Sequence, residues 1–166
     1  MSIHIGTEIT QLQDDAIVQW KKNGIQLTQQ DILGLIEQNH AYNYQLWLAE
    51  DRARRDDQGH EFVYLAKREI DDCNQRRNNF MEAIDAWFFK QLKPASPSHC
   101  PVHSETPGMM IDRLSILALK AYHMGLQIER LEVSPEHRQT CQQKLEIIIQ
   151  QRQQLRSCLD QLLDEI

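Results

Sequence analysis

The chain has 166 residues, with 18 Lys and Arg against 24 Asp and Glu, a formal net charge of -6, and 41% hydrophobic residues. That length suits one domain with a real core. The acidic balance argues against a nucleic-acid partner, and no apolar run reaches the roughly 18–20 residues that cross a bilayer, so no membrane insertion is expected.

Met1-Ser2-Ile3-His4-Ile5 lacks a basic region followed by an apolar one, which predicts a cytoplasmic protein with reduced cysteines. Over residues 7–20, Ile9, Leu12, Ala16, Ile17 and Trp20 recur at helical spacing. Lys21-Lys22-Asn23-Gly24 closes this short N-terminal helix. Thr28-Gln29-Gln30-Asp31 has the form of a capping box, with Asp in the fourth position. A long helix is predicted from there to about Arg55, with Ile32, Leu35, Ile36, Tyr42, Leu46 and Ala53 as its apolar stripe. Asn39, Asn43 and Glu50 fall on or beside that stripe, where a pure packing helix would carry apolar residues.

Asp56-Asp57-Gln58-Gly59 marks a turn, and a second long helix is expected from Glu61 to Leu92. Its heptad seam runs Val63, Ala66, Ile70, Cys73, Arg77, Phe80, Ile84 and Trp87. One member of that seam is an arginine, and Asp71, Asn74, Asn78 and Asp85 line up beside it. Pro94, Pro97 and Pro101 make 93–106 a Pro-rich loop. Thr106 is the natural N-cap and Pro107 the first residue of a third long helix to about Leu131. That helix is apolar on most sides, which places it at the centre of the fold or at a homodimer interface. Ser134-Pro135-Glu136 opens the last helix, whose stripe is Leu145, Ile148, Leu155, Leu159, Leu162 and Ile166. The expectation is one all-α domain over 1–166, an antiparallel bundle of four long helices with a short additional N-terminal helix.

Two patterns stand out in this order. Asn43, Trp47, Glu50, Asp51, Ala53 and Arg54 read Asn-x3-Trp-x2-Glu-Asp-x-Ala-Arg. Ser104-Glu105-Thr106-Pro107-Gly108, three residues, then Asp112-Arg113-Leu114-Ser115-Ile116-Leu117 form the second. With Ile70, Asp71, Asn74, Arg77 and Asn78 between them, residues 36–130 resemble a bacterial family catalogued as a domain of unknown function. The resemblance implies no established activity. It implies a setting near cell-envelope glycosyltransferases. The loop at 94–103 departs from the family pattern.

The first candidate site is a polar cluster of His40, Asn43, Trp47, Glu50, Asp51, Arg54, Asp71, Asn74, Arg77, Asn78 and His123. Folding back at the first turn sets Asn43 opposite Asp71 and His40 opposite Asn74 and Gln75. An antiparallel third helix would bring His123 level with Arg77. Buried charge must be paired, so Arg77 should meet Asp71 or Glu50. Such a network is either a register-fixing device or a site for an anionic ligand. The second candidate is an anion site at the start of the third long helix, from Ser104, Glu105, Thr106, Gly108, Asp112 and Arg113. Its alternative is an ordinary cap, with Arg113 paired to Asp85 or Asp112.

No metal site is expected. Glu37-x-x-His40 stands alone, and His99, Cys100 and His103 lack a fourth ligand nearby. Ser115, inside an apolar helix, should bond its own backbone. No cofactor is predicted. The leading reading is a non-catalytic binding or accessory protein, homodimeric, with a protein partner or an anionic small molecule and a link to envelope glycan pathways. The alternative is an enzyme acting on a phosphorylated or nucleotide-linked small molecule, with Glu50, Asp51, Asp71 and Asp112 as metal or general-base carboxylates.

Overall fold

Proline, glycine and local side-chain bonds set the breaks in this chain. The computed structural model describes residues 5–95, 98 and 100–166. Among them the chain forms five α-helices and no strand: α1 Gly6–Asn23, α2 Asp31–Ala53, α3 His60–Leu92, α4 Pro107–Glu129 and α5 Pro135–Glu165. A single 3-10 turn, Asp56–Gln58, joins α2 to α3. No helix among the described residues is long and apolar enough to cross a membrane.

Both proline-led helices start as their sequences predict. The Thr106 hydroxyl accepts from the Met109 N–H and the Ser134 hydroxyl from the His137 N–H, each at 3.2 Å. The capping box expected at Thr28–Asp31 does not form. Glu37, one and a half turns into α2, accepts instead from the backbone N–H groups of Thr28 and Gln29, both at 2.9 Å. This holds the approach to α2 outside the helix, and α2 begins three residues later than Thr28.

Chain directions follow from the contacts. Asn39 of α2 meets Arg77 of α3, while Arg52 further along α2 meets Glu69 earlier in α3. Those two helices therefore run in opposite senses. Arg77 meets Asp112 and Asp85 meets Gly108, so α3 and α4 are also opposed. The main core cluster joins all five helices, with Ile9, Ile36, Ile84, Phe88, Ile111, Leu114 and Leu159 at its centre. A second cluster forms around Trp20, with Ile17, Ala41, Tyr44, Ala118 and Leu119.

Much of the apolar surface of α4 is buried within one chain, while Met109 and Leu126 stay exposed. From Met110 to Leu119 every residue but Arg113 and Ile116 is buried, with α1, α2, α3 and α5 packed around the helix. Its first turn presses directly on α3. A Cβ placed on Gly108 would collide with the carbonyl oxygen of Met81 and crowd the Asp85 carboxylate. Gly125, near the other end of α4, has open space around it. Gly108→Ala should therefore lower the unfolding free energy by about 1–3 kcal/mol through forced displacement. Gly125→Ala should raise it by about 0.5–1 kcal/mol through lost backbone freedom in the unfolded chain. Urea titration of the two variants checks the opposite signs.

Candidate functional site

Asp112 sits in the most enclosed stretch of α4 and is 4% exposed. Burying a carboxylate costs several kcal/mol unless its charge and lone pairs are met. Three side chains meet them. Oδ1 accepts from Asn39 Nδ2 at 3.0 Å and from Asn43 Nδ2 at 2.9 Å. Oδ2 accepts from Arg77 Nη2 at 3.1 Å. Asn39 and Asn43 are one turn apart on α2 and so share a face. Arg77 arrives from the seam of α3, which explains why an arginine interrupts that apolar row.

The bonds continue inward. Asn43 Nδ2 also donates to Ser115 Oγ at 3.0 Å, and Ser115 Oγ lies 2.6 Å from His40 Nδ1. His40 Nε2 is 2.9 Å from the carbonyl oxygen of Gln13. A carbonyl only accepts, so Nε2 carries the proton and Nδ1 accepts from the Ser115 hydroxyl. Burial pushes the His40 pKa down to about 3, with the nearby Arg152 charge adding to the effect and the Gln13 carbonyl opposing it. His40 is thus a neutral, fully buried link in the network. Gln13 in turn donates to the Ile111 carbonyl at 3.3 Å and accepts from Arg152 Nη2 at 3.1 Å. Arg152 also bonds the Leu114 and Thr10 carbonyls and the Asp14 carboxylate. One run of polar contacts therefore ties all five helices together, between the two apolar clusters.

Two buried atoms of this network have no hydrogen-bond partner: Asn43 Oδ1 and Arg77 Nε. Both residues line a cavity of about 220 Å³ between α2, α3 and α4. Trp47, Glu50, Asp51 and Arg54 line its α2 side, and Ile116 and Leu119 its α4 side. Trp47 is stacked on His123, with ring centroids 4.3 Å apart. A wider groove of about 570 Å³ shares Glu50 and Arg54 with the cavity and adds Tyr64, Lys67, Arg68 and Asp71.

Of the polar cluster read from the sequence, Asn43, Trp47, Glu50, Asp51, Arg54 and Arg77 come together around the cavity. His123 reaches it through Trp47 rather than lying beside Arg77. His40 faces α1 and α4, not Asn74. The pairing expected between Arg77 and Asp71 or Glu50 is replaced by Arg77 with Asp112. Asp71 is exposed and bound to Arg68 at 3.0 Å, whereas the Asp112 side chain is 5% exposed and needs a cation far more. Asn74 is half-buried and Asn78 exposed, and neither enters the network.

At the start of α4 the donors are already occupied. The Gly108 N–H donates to Asp85 Oδ1 at 2.6 Å, and Met109 N–H to Thr106. Arg113 pairs with Glu105, not with Asp85 or Asp112, and Ser104 is exposed. Of the residues expected to bind an anion there, only Glu105 and Arg113 pair with each other, and Asp112 is turned into the buried network. Among the described residues no three His, Cys, Asp or Glu side chains gather to hold a metal ion. His99 lies outside the described residues.

The network also contains Gln13 and Arg152, which the sequence patterns passed over, and Ser115, which they assigned to its own backbone. Each had a signal. Gln13 sits one turn from both Ile9 and Ile17 in the α1 stripe, and Arg152 fills the gap between Ile148 and Leu155 in the α5 seam. Ser115 lies one turn from both Ile111 and Leu119. It bonds His40 across the bundle instead of its own backbone.

Comparison with known proteins decides the family. The model of the family described as "Protein of unknown function (DUF4254)" matches residues 33–166. The chain belongs to that family. The matched span holds α3 to α5 and all of α2 but its first two residues, and with them Asn39, Asn43, Arg77, Asp112 and Ser115. No curated protein and no solved structure matches the chain.

Asp112→Ala leaves Arg77 without its anion and should cost about 3–5 kcal/mol, read as a lowered urea midpoint. His40 supplies a pH signature. Its folded pKa of about 3 lies below the unfolded value near 6.5, so the unfolded chain takes up the proton first. This stability is complete above the unfolded value and is lost as pH falls toward the folded one. Between pH 7.5 and 5 the loss should be on the order of 1–2 kcal/mol. His40→Gln should flatten that part of the pH profile, as followed by urea unfolding.

Proposed function

We propose that this protein is a binding or accessory protein whose ligand occupies the cavity between α2, α3 and α4. The observation behind this reading is the pair of unpartnered atoms, Asn43 Oδ1 and Arg77 Nε, on residues that line the cavity. A buried polar atom without a partner costs about 1–3 kcal/mol. Here an acceptor and a donor are both left over, while the same two side chains are fixed by Asp112 at their other ends. A ligand that reaches these atoms with one donor and one acceptor relieves both costs.

In this reading the four long helices form an antiparallel bundle, with α1 packed against it as a fifth helix. The protein is cytoplasmic and homodimeric, and the setting near envelope glycan pathways comes from the family resemblance alone. The catalytic alternative has weaker support. Glu50 and Asp51 line the cavity, but Asp71 pairs with Arg68 outside it and Asp112 is held by Arg77, Asn39 and Asn43. Two of the four carboxylates assigned to metal or base chemistry, Asp71 and Asp112, are thus already paired with an arginine.

A thermal-shift screen of small polar compounds on two proteins tests the binding reading. Stabilisers of the wild type should gain about 2.7 kcal/mol at a hundred times their Kd. They should lose that effect in Ile116→Trp, where a large side chain fills the cavity. Equal shifts in both proteins, or none in the wild type, would contradict it.

A further inference from the structure

Resting on the binding reading above, we propose that the cavity and the adjoining groove form one bipartite site for a phosphate ester of a sugar or similar polyol. The hydroxyls enter the cavity and the phosphate lies in the groove.

The cavity is built for hydroxyls. Arg77 already has its counter-charge in Asp112, and Glu50 and Asp51 stand against Arg54 alone, two carboxylates to one cation. An anion is therefore unwelcome there. Asn43 Oδ1 needs a donor and Arg77 Nε needs an acceptor. A hydroxyl is both at one oxygen. Further hydroxyls on the same ring find acceptors in the Glu50 and Asp51 carboxylates. Trp47 supplies an aromatic wall for the C–H surface of such a ring. The volume of about 220 Å³ is below the roughly 300–1,000 Å³ of drug-sized pockets and suits a single ring.

The groove has the opposite bias. Arg54, Lys67 and Arg68 line it against Glu50 and Asp71, three cations to two carboxylates. Arg68 is bound to Asp71 and Arg54 to Asp51, but both pairs are more than half exposed. Exposed pairs of this kind hold little free energy and yield readily to a doubly charged phosphate. Lys67 has no ion-pair partner among the described residues. Glu50 and Arg54 line both spaces, so a ligand that spans them lies along one turn of α2.

Isothermal titration of the intact protein tests this with four sets of probes: free hexoses, the matching hexose 1-phosphates, the matching uridine-diphosphate hexoses, and inorganic phosphate. At least one sugar ester should bind about tenfold or more tightly than its free sugar and than phosphate. Tighter binding of the monoester or of the diphosphate ester tells which source the ligand comes from, and either supports the class. Lys67→Glu should remove the advantage of the ester and leave the free sugar unchanged. Glu50→Gln should weaken both. These two side chains are exposed, so folding is not at stake.

Equal affinity for sugar and ester, with no effect of Lys67→Glu, overturns the groove half. Phosphate alone binding as tightly as the esters overturns the polyol half. Suppose no sugar or ester binds, while other compounds still stabilise the wild type and not Ile116→Trp. The polyol phosphate class then falls and the cavity reading stands.

Discussion

The carboxylate of Asp112 is the constraint around which this molecule is arranged. A negative charge at the middle of a five-helix core must find a cation and a set of donors, and it finds them on two other helices. Meeting that need sets the register of α2 against α4 and of α3 against α4 together. Slide either helix by one turn and Asp112 loses a bond, while Arg77 is left partly buried without its anion. Apolar contacts alone would tolerate such a slide far better, because Ile, Leu and Ala can exchange neighbours in a repeating seam.

The proposed site would give the network a role beyond register. An apolar core of the same shape holds a fold at least as well as a buried ion pair does. What an apolar core cannot do is hold one amide and one guanidinium by one end each. Asp112 grips Asn43 through Nδ2 and Arg77 through Nη2, and leaves Oδ1 and Nε unmet. The inner branch through Ser115, His40 and Gln13 is closed at every atom in turn, and the two unmet atoms belong to residues that line the cavity. This contrast within one network is the physical ground for reading that side as a site.

Much of this was legible in the chain. Heptad spacing and the Thr106-Pro107 and Ser134-Pro135 starts locate the helices because caps and prolines act locally. The oddity of Arg77 on an apolar seam, with Asn39 and Asn43 on the α2 stripe, marks the polar layer correctly. What spacing could not supply was the partner. Asp112 follows Ile111 in an apolar helix, and only the packing of α4 between α2 and α3 shows that it faces Arg77. Asp85 was visible beside the seam, but its bond to the Gly108 N–H depends on a close approach of two helices far apart in sequence. Gln13 and Arg152 were hidden because stripes are drawn through apolar residues, and a polar residue at a stripe position is easily skipped. The same logic that singled out Arg77 would have found Arg152.

The central claim is that Asn43 and Arg77 are fixed by Asp112 at one end and offered to a ligand at the other. Side-chain NMR of the wild-type protein tests it most directly, by following Arg77 as a stabilising small molecule is titrated in. The account predicts that the Arg77 Nε–H signal moves with occupancy while the signals of the guanidinium end bound to Asp112 stay nearly still. An Nε–H signal that does not move when the ligand binds would contradict it.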